Sequence, residues 1–252
     1  MGMARGVDLR ALWGECMGDY TNMSPYYDVI MTSGYYDYAK IVDSLLTGQS
    51  IDKVLEIGCG TGLILEELAT RRPQARIAGI DLTEPMLNIA KDRLQKFSNV
   101  SLSRQNVCQL TLEHQYDLAF SYGGVWYFVI DGEEEPFLVS HVPADEDNHK
   151  GFERLAPCVT IGGILLLGIQ GPHHNYETEI SNGMKYSQVI QPGEQGFTKH
   201  YYLADGAQRV MSQTVQYRTY SFEDARKMMS EYGFEYAPDE NRGKFFLGFR
   251  KG

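Results

Sequence analysis

Between residues 53 and 170, short apolar runs alternate with amphipathic stretches, and this alternation predicts the layout of the chain. Val54, Leu55 and Ile57 form a branched aliphatic run that suits a strand buried in a parallel sheet. Leu63, Leu65 and Leu68 follow at helical spacing. "ARIAGIDL" (75–82) predicts a second strand. "TEPMLNIAKDRLQKF" after it predicts a helix, with Thr83 as N-cap, Pro85 in the first turn, and Leu87, Ala90 and Leu94 facing the core. "VSLSRQNV", "YDLAFSYG" and "GGILLLGIQ" (162–170) supply strands three to five. Strand and helix in turn predict an α/β fold with a doubly wound, mostly parallel sheet.

After Gln170 the period changes. "KYSQVIQ", "FTKHYYLAD" and "RVMSQTVQYRTYS" alternate apolar or aromatic with polar residues, separated by the turn sequences "QPGEQG" and "ADGAQ". Period two predicts antiparallel strands. The expected organisation is an N-terminal helical cap over 1–50, a core over 51–170, an antiparallel lid insertion over 171–217, and a C-terminal helix and strand over 218–252 that complete the core. The final helix takes Ser221 as its cap. "DGEEEPF" and "PADEDNH" read as acidic, solvated loops.

Composition narrows the function. A net charge of −10 argues against a nucleic-acid partner, which calls for a basic face. No apolar run approaches the roughly 20 residues of a membrane helix, and the first residues lack the apolar core of a secretory leader. Cys16, Cys59, Cys108 and Cys158 are scattered, which reads as free thiols in a reducing cytoplasm. No metal site is expected, because the histidines lack ligand spacing.

The chemistry centres on "VLEIGCGTG" (54–62), a strand that breaks into Gly58, Gly60 and Gly62 before a helix. Glycine there admits backbone angles that a Cβ forbids and lets a ligand approach the main chain; the helix start adds a positive dipole end. Asp81 ends the second strand about 20 residues on, the spacing of a ribose-binding carboxylate. Both nicotinamide dinucleotides and S-adenosylmethionine call for such a pair. The dinucleotide pattern G-x-G-x-x-G needs a third glycine where this chain has Leu63.

On these residues the chain resembles a class I S-adenosylmethionine-dependent methyltransferase of the small-molecule type. "VLEIGCGTG" is similar to the family's first motif and "GIDLTEPMLNIAK" to its second. "YDLAFSYGGVWYF" occupies the place of its strand-four motif, and "LAPCVTIGGILLLGIQ" resembles the passage into strand five, with four residues inserted between Pro157 and the Gly162–Gly163 pair. The resemblance covers roughly 35–170 and 215–252, and it implies a Rossmann-like sheet. It implies further that Gly58 and Gly60 face the methionine part of the cofactor, that Glu56 orients its amino group, that Asp81 takes the ribose hydroxyls, and that Leu82 and Met86 pack on adenine. Asn106, followed by Val107, stands where the family usually offers an acid to the adenine amine. Ser121 and Tyr122 would end strand four beside the methyl group. Tyr27 and Tyr36 are the candidates from the N-terminal segment, where a tyrosine hydroxyl would hold the cofactor carboxylate or a ring would face the sulfonium by a cation–π contact.

Methyl transfer asks chiefly for alignment and exclusion of water. A general base matters when the acceptor must lose a proton. The candidates are His173 and His174, which follow strand five at the carboxyl edge of the sheet, and then His141. The expected reaction moves a methyl group to an O or N atom of a small-molecule acceptor and leaves S-adenosylhomocysteine. Carbon methylation, a cofactor-dependent rearrangement, an NAD-dependent oxidoreductase and a non-enzymatic partner protein remain as alternatives, and the aromatic N-terminus leaves a homodimer open.

Overall fold

The computed structural model describes residues 20–48 and 51–252. The first part of the expected N-terminal cap, with Cys16, lies outside the described residues. Helices α1 (Ser24–Thr32) and α2 (Tyr38–Leu45) come first, the second capped by Asp37, whose side chain accepts from Lys40 N at 3.2 Å. The sheet then builds as β1 (Lys53–Ile57), α3 (Leu63–Arg71), β2 (Arg76–Asp81), α4 (Glu84–Leu94), β3 (Val100–Arg104) and β4 (Tyr116–Ser121). β5 (Trp126–Val129), β6 (Phe137–Ser140), α5 (Asp145–Leu155) and β7 (Val159–Gln170) follow. β8 (Tyr176–Glu179), β9 (Lys185–Gly193), β10 (Gly196–Asp205) and β11 (Gln208–Tyr220) form an antiparallel run. α6 (Phe222–Glu231), β12 (Phe234–Tyr236) and β13 (Phe246–Lys251) close the described chain.

The parallel part has the order β3-β2-β1-β4-β7, so its direction reverses between β1 and β4. That reversal opens a crevice at the strand carboxyl ends, where sheets of this kind place ligands. The two pleat faces are both buried. Val54, Ile77, Leu118 and Phe120 pack against α2, α3 and α4, whereas Leu55, Ile57, Leu165 and Leu167 pack on the other side with Phe152 of α5 and Met228 of α6. Full burial on both faces explains the continuous apolar runs of the sequence. Antiparallel β13 lies on the far edge of β7, with β12 beyond it.

β7 also carries the rest of the sheet. Ile164–Leu167 pair with β4, and Gly168–Gln170 pair with β5, so β5 resumes the place beside β7 that β4 leaves. From β5 the sheet continues through β6, β11, β10, β9 and β8. The antiparallel region therefore begins at Trp126, well before the insertion expected at 171. Its first hairpin escaped the sequence reading because "WYFV" is buried at all four positions and shows no alternation. The segment read as the acidic loop "PADEDNH" instead opens α5. Asp145, Glu146 and Asp147 occupy its first turn, where negative charge complements the helix dipole. Its Asn148 is buried, accepting from Trp126 Nε1 at 2.9 Å and Ser140 Oγ at 2.6 Å. Thr83 stands at the N-cap of α4 but makes no side-chain cap bond, whereas Ser221 Oγ accepts from Asp224 N at 3.1 Å. No helix among the described residues is long and apolar enough to cross a membrane.

Candidate active site

The turn after β1 is held open by three left-handed glycines, Gly58 (φ +76°), Gly60 (φ +53°) and Gly62 (φ +81°). Gly58 N and Cys59 N both donate to Ile80 O, at 2.8 and 2.9 Å, which clamps the turn onto the end of β2. A Cβ on Gly58 would lie 2.9 Å from Gly124 Cα, so the β4–β5 loop needs a glycine there. A Cβ on Gly60 would meet nothing nearer than the Tyr27 ring at 3.9 Å; the space above Gly60 is open. Asp81 connects the turn to the next element. Its Oδ2 accepts from Gly60 N and its Oδ1 from Thr83 N, each at 2.8 Å. Each oxygen keeps acceptor capacity for a ligand hydroxyl. Burial raises the Asp81 carboxyl above its ordinary range, against the pull of these backbone donors.

Glu56 is different. It is 3% exposed, and its Oε2 has no hydrogen-bond partner among the described residues. Burial, with Asp81 nearby, pushes its carboxyl well above the ordinary range. It lines a small recess with Tyr27, Tyr36, Tyr38 and Gly58. A buried carboxylate oxygen without a donor is costly, and a ligand ammonium would satisfy it.

The main cleft lies over the glycine turn and opens to solvent, with about 800 Å³ of empty space when the open solvent at its mouth is included. Gly58, Gly60, Asp81, Leu82, Thr83 and Met86 form one side. Tyr20, Met23, Tyr27, Tyr35 and Tyr36 from the N-terminal segment cover it, and Tyr186, Lys199, Tyr201 and Tyr217 of β9–β11 form the opposite wall. Tyr36 Oη accepts from Gln170 Nε2 at 2.8 Å, linking the cover to the end of β7. Its ring packs edge-on against Tyr35, Tyr38 and Tyr122. Burial holds the Tyr27 and Tyr36 phenols well above their ordinary range, so both stay protonated.

Several sequence candidates fall elsewhere. Asn106 is buried, and its Oδ1 caps the short turn Val107–Gln109 by accepting from Cys108 N at 2.9 Å. Neither Asn106 nor Val107 lines the cleft; Val107 is fully enclosed in the core beneath it. Ser121 is also enclosed, its Oγ accepting from Trp126 N at 3.3 Å to fix the β4–β5 loop. Gly123, Gly124 and Val125 of that loop reach the cleft instead. Tyr122 turns toward the Glu56 recess and a neighbouring hollow.

Among the histidines, His141 alone of the three candidates lines the main cleft. His173 and His174 line the neighbouring hollow, with His173 set between the Tyr127 and Phe197 rings. The chain leaves β7 at Gln170 and turns away before reaching them. His141 sits among Tyr20, Tyr127 and Tyr217, and burial lowers its pKa to about 3. A neutral imidazole of such low basicity is a poor general base. Burial lowers His173 to about 3 as well. Lys199 is the residue the sequence reading missed. Alternation in "FTKHYYLAD" puts it on the same face as Tyr201 and Leu203, a charge at an inward position.

Comparison with known proteins agrees with this geometry. Residues 54–138, from β1 into β6, match the family model described as a methyltransferase domain. Over 80 residues the chain is 38% identical to a malonyl-[acyl-carrier protein] O-methyltransferase of Bacillus anthracis, covering 32% of this chain and 29% of that relative. It is 25% identical over 174 residues to a trans-aconitate 2-methyltransferase of Deinococcus radiodurans, covering 69% of this chain and 58% of that relative. The matches thus span less than two thirds of these relatives' own length. The fold superposes on an S-adenosylmethionine-dependent methyltransferase from Clostridium acetobutylicum with a TM-score of 0.68 at 17% identity, over 92% of this chain and 99% of that one. The methyltransferase-domain match covers the glycine turn at the sheet's reversal, and the fold is the one that S-adenosylmethionine-dependent methyltransferases of known structure share.

Proposed function

We propose that this chain binds S-adenosylmethionine in the cleft over the glycine turn and transfers its methyl group to an O or N atom of a small-molecule acceptor, in the cytoplasm. The observation that carries the reading is the pairing of two carboxylates, one satisfied and one not. Asp81 is already held by Gly60 N and Thr83 N and presents its remaining acceptor positions to two vicinal hydroxyls. Glu56 keeps a buried oxygen without a donor, matched to an ammonium. Gly60 leaves room for the aliphatic part of the cofactor between these groups, and Leu82 and Met86 offer an apolar surface for the base. When bound there, the cofactor supplies an electrophilic methyl on a sulfonium. The residues around it bind, align and exclude water.

The tyrosine cover and the β9–β11 wall suit an acceptor small enough to be enclosed. His141 remains neutral, so it contributes shape and a hydrogen bond rather than a strong base. The reading is tested by incubating the protein with trideuteromethyl-labelled S-adenosylmethionine and fractionated metabolite extract. The expected result is a small molecule that gains one labelled methyl, with S-adenosylhomocysteine formed in equal amount. Cofactor turnover without any labelled product would contradict it.

A further inference from the structure

Strand β10 directs alternate residues inward, and Lys199, Tyr201 and Leu203 occupy those positions. The register sets Lys199 beside Val215 of β11 and Ile190 of β9. Aliphatic neighbours of this kind favour a hydrophobe, yet the chain places an amine there that is 2% exposed. Its Nζ lies 5.6 Å from the Phe197 ring centroid and 5.5 Å from that of Tyr217. Among the described residues it has no hydrogen bond and no ion pair. Lys199 is the one cationic side chain lining the cleft among the described residues, and Asp81, already held by two backbone donors, is the one carboxylate.

A buried ammonium without an anion is costly, and the cost is offset when a ligand brings the anion. A second feature of the same wall supports this. Tyr217 Oη meets Tyr20 Oη at 2.8 Å and Tyr201 Oη at 2.7 Å. Three phenols sharing two hydrogen bonds leave one O–H proton to donate, so this cluster also offers a donor to a ligand oxygen. The aromatic faces around these polar atoms suit an apolar body.

We propose that the acceptor is a small organic acid whose carboxylate is received by Lys199, with the Tyr20–Tyr217–Tyr201 phenols as auxiliary donors. The proposal rests on the methyltransferase reading and names the substrate class for it. Lys199 acts here through its charge, as a binding and specificity-determining residue. The reduced basicity that burial gives it, with a pKa of about 7, fits a site that gains its full charge when the anion enters.

The test uses the full chain saturated with S-adenosylhomocysteine and ligand-observed NMR. The probes are phenylacetate, hydrocinnamate and hexanoate, each set against its primary amide and the corresponding amine. Carboxylates should bind, and amides and amines should not. Lys199→Met should weaken carboxylate binding about tenfold or more, the loss of a charge-assisted contact. Lys199→Arg should retain most of it, which a general base at this position would not predict. Thermal stabilisation by S-adenosylhomocysteine, measured on all three proteins and on Lys199→Gln, reports that each is folded with its cofactor site intact. Carboxylate binding that survives Lys199→Met undiminished, or amides that bind as well as the carboxylates, overturns the proposal, as does the failure of every carboxylate to bind a protein that S-adenosylhomocysteine stabilises. A protein that S-adenosylhomocysteine does not stabilise overturns the methyltransferase reading itself.

Discussion

Asp28 Oδ1 accepts a hydrogen bond from Thr61 Oγ1 at 2.6 Å, which ties helix α1 to the glycine turn. Arg93 completes the clip from α4, pairing with Asp28 Oδ2 and donating from Nε to Thr61 O at 2.9 Å. The cover of the cleft is thus bonded to the loop that forms its floor. Asp28→Ala leaves Thr61 and Arg93 without their shared acceptor, at a cost of about 1–2 kcal/mol. The expected outcome is faster dissociation of S-adenosylhomocysteine and faster tryptic cleavage within 20–48, with the core unaffected. Stopped-flow displacement and limited proteolysis check it.

Glu56 sets stability against binding. Glu56→Gln removes a buried carboxylate that lacks a donor, and should raise the stability of the ligand-free protein by about 1 kcal/mol. It should weaken S-adenosylhomocysteine by about 1.5–3 kcal/mol, the range of a hydrogen bond to a charged group. Paired thermal melts and calorimetric titrations measure the two effects.

The same residue gives a pH dependence whose sign follows from its raised pKa. In the free protein the Glu56 carboxyl is protonated at a pH where an ordinary glutamate is ionised. A ligand ammonium favours the carboxylate, so binding must release that proton. Affinity for S-adenosylhomocysteine should therefore fall as pH falls through the raised Glu56 value, and level off above it. His141 and His173, both lowered to about 3, stay neutral and do not contribute to this slope near neutrality. Asp81, raised by burial, titrates in the same direction, so the decisive comparison is the reduction of the slope in Glu56→Gln.

The two ends of the glycine turn should respond differently to alanine. At Gly58 a Cβ meets backbone at 2.9 Å and must also adopt a left-handed φ. Gly58→Ala should cost about 2 kcal/mol or more of stability from strain and backbone displacement. At Gly60 the added methyl enters open space, so Gly60→Ala should cost about 1 kcal/mol from its left-handed φ alone. Its larger effect should be on ligand affinity, because the methyl occupies the volume left above the turn. Denaturant melts with and without S-adenosylhomocysteine separate the two.

The parallel core and the glycine turn were legible in the sequence because both have strong local signatures. Runs such as "VLEI" have little choice but a doubly buried strand, and Gly58, Gly60 and Asp81 mark the crevice by spacing. The β5–β6 hairpin was not legible, because "WYFV" lacks a period and its partner "FLVS" lies across an acidic turn. Asn106 and Ser121 point out the limit of motif position. Each stands near the expected place, but the chain uses its side chain to hold a local turn. His173 and His174 follow the right strand but turn past the cleft, since proximity in sequence to a strand end does not fix direction. Lys199 carried a usable signal, a lysine at an inward strand register, which becomes informative only once the face of β10 is known.

The most direct measurement of the central claim is calorimetric titration of the purified protein with S-adenosylhomocysteine and, separately, NADH, repeated on Asp81→Ala. The account predicts one site for the sulfur ligand, none for NADH, and a loss of about tenfold or more in Asp81→Ala, where the acceptor for two ribose hydroxyls is gone. Binding of NADH with no response to S-adenosylhomocysteine would contradict it and make the glycine turn a dinucleotide site.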